Sequence, residues 1–541
     1  MRELPVGWEI TTIENVLEPK YEGKTIQQGW SPRCEKHSSS SNNTWGVLKT
    51  TAIQAGYFIE NENKELPEHL TPKEQIEVSE GDILLTCAGP RNRCGVPTLV
   101  RKTRPKLMMS GKMYRFRAFE EYFQPSFLEL YLLSHEAQLA IDKMKTGSSD
   151  SGLNLTHGRF RELLIPVPPF KEQQRIVDKV EELFSELDKG IESLKTAKDQ
   201  LTVYRQALLK HAFEGKLTEQ WRASNADKLE SPEQLLARIQ QEREARYQQQ
   251  LDDWTQEVEE WEADGKGGKK PSKPKKYTPS VIMDNEKISG LPESWESVKF
   301  SELLFSIRGG TTTPPLDIET NYPVLRSSSV RQSNIDYSDI RYLSGETIKN
   351  KADFVEQGDL LFSRLNGSIE FVGNCALVKR NHPENLIYPD RLYCAKLVIG
   401  SLAEYCELFF SSPNVRNSIE KKAKSTAGHK RISIPDVTEQ IIPLPSPIEI
   451  KQIVNIVEEK LSVTSKLIEN IDTDIKRAEL LRQSILKKAF SGQLVPQDPD
   501  DKPASELLKK IAIEKAELAE KDKAEKAAAR KAKAAAKKAK T

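Results

Sequence analysis

Residues 167–170 read Val-Pro-Pro-Phe, one letter from the Asn/Asp-Pro-Pro-aromatic arrangement that adenine-methylating sites use to bond the target amine. Valine offers no such bond, so the segment reads as a helix-entry turn. A phosphate-cradling G-x-x-x-x-G-K-[ST] loop is absent. Gly265-Lys266-Gly267 lies in lysine-rich polar sequence, not after an apolar strand, so no nucleotide-binding turn is expected there. Pro435-Asp436 with Glu458-x-Lys460 has nuclease-like letters, but Glu458 and Lys460 fall inside a helical pattern rather than on a sheet edge. Cys34 and His37 have one C-x-x-H spacing with no matching pair. The six cysteines form no C-x-x-C and no disulfide framework. None of these residue sets completes a catalytic or metal centre, and the chain is expected not to be an enzyme.

Charge points to anion binding instead. The net charge is +1, but it is unevenly spread. Residues 252–264 hold seven acids, 265–276 hold six lysines, and 521–541 hold nine Lys or Arg against two acids. Local basic regions of this kind bind phosphate whatever the total. The N-terminus lacks the apolar core of a signal peptide and no stretch reaches the ~20 apolar residues of a membrane span, so a soluble cytoplasmic protein with no membrane partner is expected.

The elements that carry these charges are duplicated. LPVGWEITTIENVL at 4–17 matches LPESWESVKFSELL at 291–304, aligning Trp8 with Trp295. Gly81-Asp82-Ile83-Leu84 matches Gly358-Asp359-Leu360-Leu361, an offset of 277 that holds at Ile165-Pro-Val-Pro168 with Ile442-Pro-Leu-Pro445. It also holds at Ala212-Phe213-x-Gly215-x-Leu217 with Ala489-Phe490-x-Gly492-x-Leu494. Each half has a mixed globule with strand-like runs (82–86, 96–100, 359–363) and helical stretches (126–145, 401–424), then a proline break and a long helix. Apolar residues at Ile176, Val180, Leu183, Leu187, Ile191 and Leu194, and at Ile453, Val457, Leu461, Ile468, Ile471 and Ile475, form a/d seams. A helix over 171–213 spans about 65 Å at ~1.5 Å per residue and needs a partner helix along its seam; the other copy, antiparallel, is at hand. The fold class is α+β, with two pseudo-repeated globules separated by two long helices in an intrachain antiparallel coiled coil.

Ile165-Pro-Val-Pro-Pro-Phe-Lys-Glu-Gln-Gln-Arg-Ile-Val177, repeated with departures at Ile450, Lys451 and Gln452, resembles the helix entry of type I restriction-modification specificity subunits. The Leu-Pro-x-x-Trp openings and the Leu-Leu-Lys-x-Ala-Phe-x-Gly-x-Leu endings resemble that family too, over about 1–217 and 291–497. The resemblance implies two target-recognition domains, each reading half of a bipartite site in double-stranded DNA. It implies helices that act as a ruler and dock two adenine methyltransferase subunits, joined later by motor-nuclease subunits. S-adenosylmethionine, ATP and magnesium then belong to those partners, with no cofactor on this chain. A coiled-coil scaffold without DNA specificity is the rival reading. The globules barely align between Leu17 and Gly81 while the helices match closely, which favours two readers of different sequences.

The expected segments are a first target-recognition domain at 1–165, a first long helix at 166–221, and a charged helix with a disordered lysine-rich linker at 222–290. A second target-recognition domain at 291–442, a second long helix at 443–497 and a helical Ala/Lys-rich tail at 498–541 follow. Lys and Arg on phosphates should supply affinity, and a few side chains on base edges specificity. First-globule candidates are Arg91, Arg93, Arg101, Lys102, Arg104, Lys112, Arg115 and Arg117, with Ser148 in a loop whose amides suit a phosphate. Second-globule candidates are Arg326, Arg331, Arg364, Asn366, His429, Lys430 and Arg431. Arg364 and Asn366 stand out, because Arg suits guanine and Asn suits adenine by bidentate geometry. Ile176, Val180, Leu183, Leu187, Ile453, Val457, Leu461 and Ile468 mark the partner-docking helices. Ser231-Pro232-Glu233 should open a charged helix over 231–261.

Overall fold

The computed structural model describes residues 4–21, 23–267, 270–279, 282–348, 353–426 and 429–538, without the side chains of 426 and 529–538. Lys269 of the lysine-rich segment, and Ala427 and Gly428 of the basic loop before His429, lie outside the described residues. The chain forms two compact units, Met1–Lys195 with Asp472–Thr541, and Thr196–Ile471. Both boundaries fall inside the long helices, Phe170–Phe213 and Pro447–Ala489. Each unit therefore holds one globule, the start of the helix that follows it, and the end of the other helix.

In the first unit the central antiparallel sheet runs in the order Gln27–Gln28, Met113–Phe116, Ile83–Thr86, Pro97–Leu99. In the second it runs Leu304–Gly309, Leu392–Leu397, Leu360–Ser363, Cys375–Leu377. The matching order establishes the duplication in three dimensions. Each predicted helical stretch is two helices broken at a serine, Pro125–Leu133 and His135–Met144 about Ser134, Ala403–Ser411 and Pro413–Lys422 about Ser412.

The repeated motifs hold the helix ends to the globules. In the first unit Phe490 packs on Phe127 and Tyr131, with ring centroids 5.3 and 5.2 Å away. In the second, Phe213 packs on Phe409 and Tyr405 at 5.5 and 5.2 Å. Gly492 (φ +69°) and Gly215 (φ +73°) are left-handed, and a Cβ on either would collide with Pro5 or Pro292. The Ala-Phe-x-Gly ending of one repeat is thus the seat for the Leu-Pro opening of the other.

Three features refine the expectations. First, the seam residues pack within each unit against both the globule and the end of the other long helix. Ile176 and Val180 are fully buried with Ile485, Leu486 and Phe490 in the first core, where Leu183 and Leu187 pack at the edge. Ile453 and Val457 are fully buried with Leu208, Leu209 and Phe213 in the second, with Leu461 alongside, and Ile468 is half-buried. Apolar side chains at that spacing gain more from the globule beside them than from solvent-facing exposure. Second, residues 270–279 are not a free linker. Pro232–Ala263 is the expected charged helix, capped by Ser231 and Gln234, and the lysine-rich segment folds back along it. Trp254 Nε1 donates to the Pro271 carbonyl at 3.1 Å, and Lys273 sits 5.7 Å from the Trp254 ring. Arg243 stacks 3.9 Å from Tyr277, whose hydroxyl donates to Glu302 at 2.7 Å. Lysines opposite an acidic, aromatic helix face find charge and π partners that composition alone does not reveal. Third, the tail is the expected helix, Ala504–Lys538, and its first turns are core: Ala504 and Ile511 are fully buried in the first unit.

Candidate nucleic-acid interface

In the second unit the strand Leu360–Ser363 leads into a short strand, Leu365–Asn366. His429–Arg431 pairs with it on one side and with Lys424–Thr426 on the other, setting Leu365 opposite Arg431 and Asn366 opposite Lys430. This edge brings Arg364, Lys424 and Arg431 around a cavity of about 210 Å³ floored by Tyr393, Ile432, Ser433 and Asp436. Arg364 Nη1 donates to the Asp390 carbonyl at 3.0 Å, and its guanidinium lies 5.5 Å from the Tyr393 ring. Burial raises the Tyr393 phenol above its ordinary value, against the pull of Arg364. The phenol stays a hydrogen-bond donor, to the Ile432 carbonyl at 3.1 Å. Asn366 turns its side-chain oxygen to the Ser368 amide at 3.3 Å. Among the described residues, the side chains of Lys424, His429, Lys430 and Arg431 show no hydrogen bond or ion pair.

A neighbouring cleft of about 430 Å³ is lined by Thr311, Thr313, Arg326, Arg341, Asp390 and Arg391 among others. Arg326 pairs with Asp339 at 2.9 Å. Arg331 lies apart from this cleft, stacked 4.4 Å from the Phe371 ring. Sequence reasoning missed Tyr393, Arg341 and Arg391; the Thr311-Thr-Thr-Pro-Pro315 run and the Pro389-Asp390-Arg391 turn were the available signals.

The first unit has the same edge with other letters. Ala88–Gly89 pairs with Leu153–Asn154, and Asn154 bridges to Thr146. Ser148 lies exposed in the loop between, and Lys112 is exposed just before the strand Met113–Phe116. Lys102 is exposed as well; among the described residues these three side chains have no hydrogen bond or ion pair.

The first-unit arginines are largely cross-links. Arg115 is 5% exposed and is a correction to the basic run: its guanidinium bonds buried Asp82 at 3.2 Å, Gln27 and the carbonyls of Gln75 and Glu77. Arg117 meets the same Asp82 at 2.7 Å; burial opposes its charge, and the carboxylate overrides burial and raises its pKa. Asp359 plays the part of Asp82 in the second unit, bonding Cys394 and Lys396. Arg93 donates to the carbonyls of Thr50 and Ile53 at 2.6 and 2.7 Å. Arg104 bonds Ser39, and burial lowers its pKa. Arg101 pairs with buried Glu129 at 2.7 Å. Arg91 joins Asp142 and Asp150 at 2.7 and 3.0 Å, an anchor for the Ser148 loop.

Among the described residues there is no cluster of three His, Cys, Asp or Glu side chains that suits a metal, and no helix long and apolar enough to cross a membrane. Cys34 and His37 turn to different partners, the Pro32 carbonyl and Glu65.

The model of the type I restriction modification DNA specificity domain matches residues 5–198. The type I restriction enzyme EcoKI specificity subunit of Escherichia coli K12 is 28% identical over 95% of this chain and 97% of its own length. The chain is thus similar over nearly its whole length to a type I restriction-modification specificity subunit, and residues 5–198 match the DNA specificity domain of that family. The E. coli EcoEI specificity subunit is 37% identical over 195 residues, 36% of this chain and 32% of that relative. A chain from a solved structure on complex assembly and conformational transition of the type I R-M system covers 91% of this chain and all of its own length, with a TM-score of 0.58 at 17% identity, a likeness of fold. A specificity subunit recognises the DNA target and is not the catalyst of its complex. The two equivalent edges carry different letters: Leu365, Asn366, Lys430 and Arg431 stand where the first unit has Ala88, Gly89, Leu153 and Asn154.

Proposed function

We propose that each repeat reads one half of a bipartite duplex target through this edge, Arg364, Asn366, Lys424 and Arg431 in the second unit and the loop around Ser148 with Lys112 in the first. The observation that carries the reading is the pair of equivalent edges bearing different side chains on matched frameworks. A shared framework keeps the approach to the groove; different letters read different bases.

The long helices dock two methyltransferase subunits in this reading, and motor-nuclease subunits join the assembly. S-adenosylmethionine is held by the former, ATP and magnesium by the latter. With the seams buried, docking falls to exposed residues. Val203 and Tyr204 (64% and 44% exposed) recur 277 positions later as Leu480 and Leu481 (71% and 48%), a repeated apolar pair suited to two copies of one partner.

Exchanging residues 1–160 for the equivalent globule of a relative tests the reading. Mapping of methyladenine in a host carrying the chimera with its methyltransferase should show one half-site changed and the other kept. Change in both halves, or in neither, refutes it.

A further inference from the structure

One turn and its surroundings are built alike in the two units. The Met113 amide donates to the Ser110 carbonyl at 3.1 Å, and the Leu392 amide to the Pro389 carbonyl at 3.0 Å. The Cys87 amide donates to the Lys112 carbonyl at 2.8 Å, as the Arg364 amide does to Arg391 at 2.9 Å. The Leu155 amide donates to the Cys87 carbonyl, as the Ile432 amide does to Arg364. The Tyr114 hydroxyl closes onto the Leu155 carbonyl at 2.6 Å, as Tyr393 closes onto Ile432 at 3.1 Å. Gly29 and Gly310 let a second strand pass against the turn: a Cβ on the first would run into the Met109 and Ser110 carbonyls, and one on the second into the Tyr388 carbonyl. In that second strand Gln28 stands opposite Tyr114, and Gly309 opposite Tyr393. The frame thus matches Cys87 with Arg364, Lys112 with Arg391, and Gln28 with Gly309. Their offsets are 277, 279 and 281, so no single ungapped alignment shows the three together.

On this frame different side chains do one task. In the second unit Arg364 Nη1 donates to the Asp390 carbonyl at 3.0 Å. A Cβ on Gly309 would lie 3.8 Å from that carbonyl and 3.9 Å from Arg364 Nη1, so a longer side chain there would take the place of the guanidinium. In the first unit position 87 is a buried cysteine, 3% exposed and too short to replace an arginine. Gln28 comes in from the other strand instead, and its Nε2 donates to the Gly111 carbonyl at 2.6 Å, the carbonyl matched with that of Asp390. Arginine with glycine in one unit corresponds to cysteine with glutamine in the other, and in both the polar head is held on the same carbonyl of the same turn. Beside it each turn presents one exposed cation, Lys112 or Arg391, whose side chain has no hydrogen bond or ion pair among the described residues. A cation left free at the matched place in both units suits a ligand with a regular backbone of negative charge.

We propose that Gln28 is a base-reading side chain of the first half-site, in the place that Arg364 holds for the second. The inference rests on the DNA-reading function above and adds a specificity-determining residue to it. With Nε2 steadied on Gly111, the second N–H of the carboxamide and Oε1 offer the donor–acceptor pair that matches N7 and the 6-amino group of adenine. Arg364 offers donors alone, which match O6 and N7 of guanine. The matched position therefore reads an A·T pair in the first half-site and a G·C pair in the second.

Two variants of the full chain, each assembled with its methyltransferase subunits, test it: Gln28→Ala, and the exchange Gly309→Gln with Arg364→Cys, which gives the second unit the pair of the first. Methyladenine mapping gives the letters, and binding across a salt series to duplexes that change one base pair at a time gives the discrimination. Gln28→Ala should lower discrimination at one A·T pair of the first half-site by on the order of tenfold or more and leave the other letters as they are. The slope of log K against log salt should not change, because a carboxamide neutralises no phosphate. Gln28 is exposed, so the melting temperature should stay at that of the parent. The exchange should turn one G·C letter of the second half-site into A·T. Intact first-half letters in Gln28→Ala overturn the inference, as does an exchange that leaves the second-half letters as they were. So does a uniform weakening of all duplexes, which would make Gln28 a backbone contact. A lost letter that comes with a lowered melting temperature also overturns it, because Gln28 would then only support the turn. If Arg364→Gln alters the second half-site while Gln28→Ala leaves the first intact, this inference fails alone; if the intact complex selects no sequence, the DNA-reading function fails with it.

Discussion

Trp8 Nε1 donates to Glu172 Oε1 at 3.1 Å, tying the first residues of a globule to the first turn of the helix that follows it 164 positions later. Trp295 and Glu449 repeat the bond at 2.9 Å. Glu449 is fully buried and also accepts from Thr218 at 2.7 Å and Arg222 at 2.8 Å. Replacing Glu449 by Ala strands a partly buried guanidinium and a buried indole N–H, and should cost about 3 kcal/mol of unfolding free energy. Trp295→Phe keeps an aromatic ring but loses the donor, and should cost about 1–2 kcal/mol. Urea denaturation of the single variants checks both values.

Glu172 and His157 give the stability opposite pH dependences. Burial raises the Glu172 carboxyl above its ordinary 4.5, despite the Trp8 bond. The folded state then holds a proton that the unfolded chain releases, so this contribution is complete below about pH 4.5 and disappears as pH rises through the folded value. Relative to the parent, Glu172→Gln should gain stability from pH 4.5 upward. Burial lowers His157 below 6.5, with Arg161 and Lys24 adding to the effect. That contribution is present above pH 6.5 and declines as pH falls below it. His157→Phe should flatten the decline. Thermal denaturation between pH 4 and 8 separates the two.

Arg364 and Arg431 line one cavity, whereas Arg115 lies in the core. Arg364→Gln with Arg431→Gln should relax or weaken the second half-site alone, by about 1–3 kcal/mol for each base no longer bonded. Arg115→Gln should leave the letters unchanged and lower stability by about 3 kcal/mol, because Asp82 loses a buried partner. Methylation mapping beside a melting curve distinguishes a reader from a cross-link.

The unit boundaries after Lys195 and before Asp472 lie inside the long helices; in the proposed reading, helix length sets the unread spacer. Four residues added within 195–205 lengthen one helix by ~6 Å, which matches at most about two base pairs at ~3.4 Å each. The expected outcome is unchanged half-site letters with a longer unread spacer. Altered letters at the original spacing would leave the helices a docking role only.

By itself the sequence determined the duplication, the two long helices and the helix-entry prolines, because periodicity and local backbone chemistry are written in neighbouring residues. Only the tertiary structure decided which basic residues are free. Arg115 and Lys112 are equally basic letters of one run; a carboxylate 33 residues from Arg115 folds against it and, among the described residues, none meets Lys112. The same holds for the seams: their spacing pointed to the other long helix, and only the fold shows the globule that shares the contact. Burial and charge pairing are set by residues distant in sequence, and the fold alone brings them together.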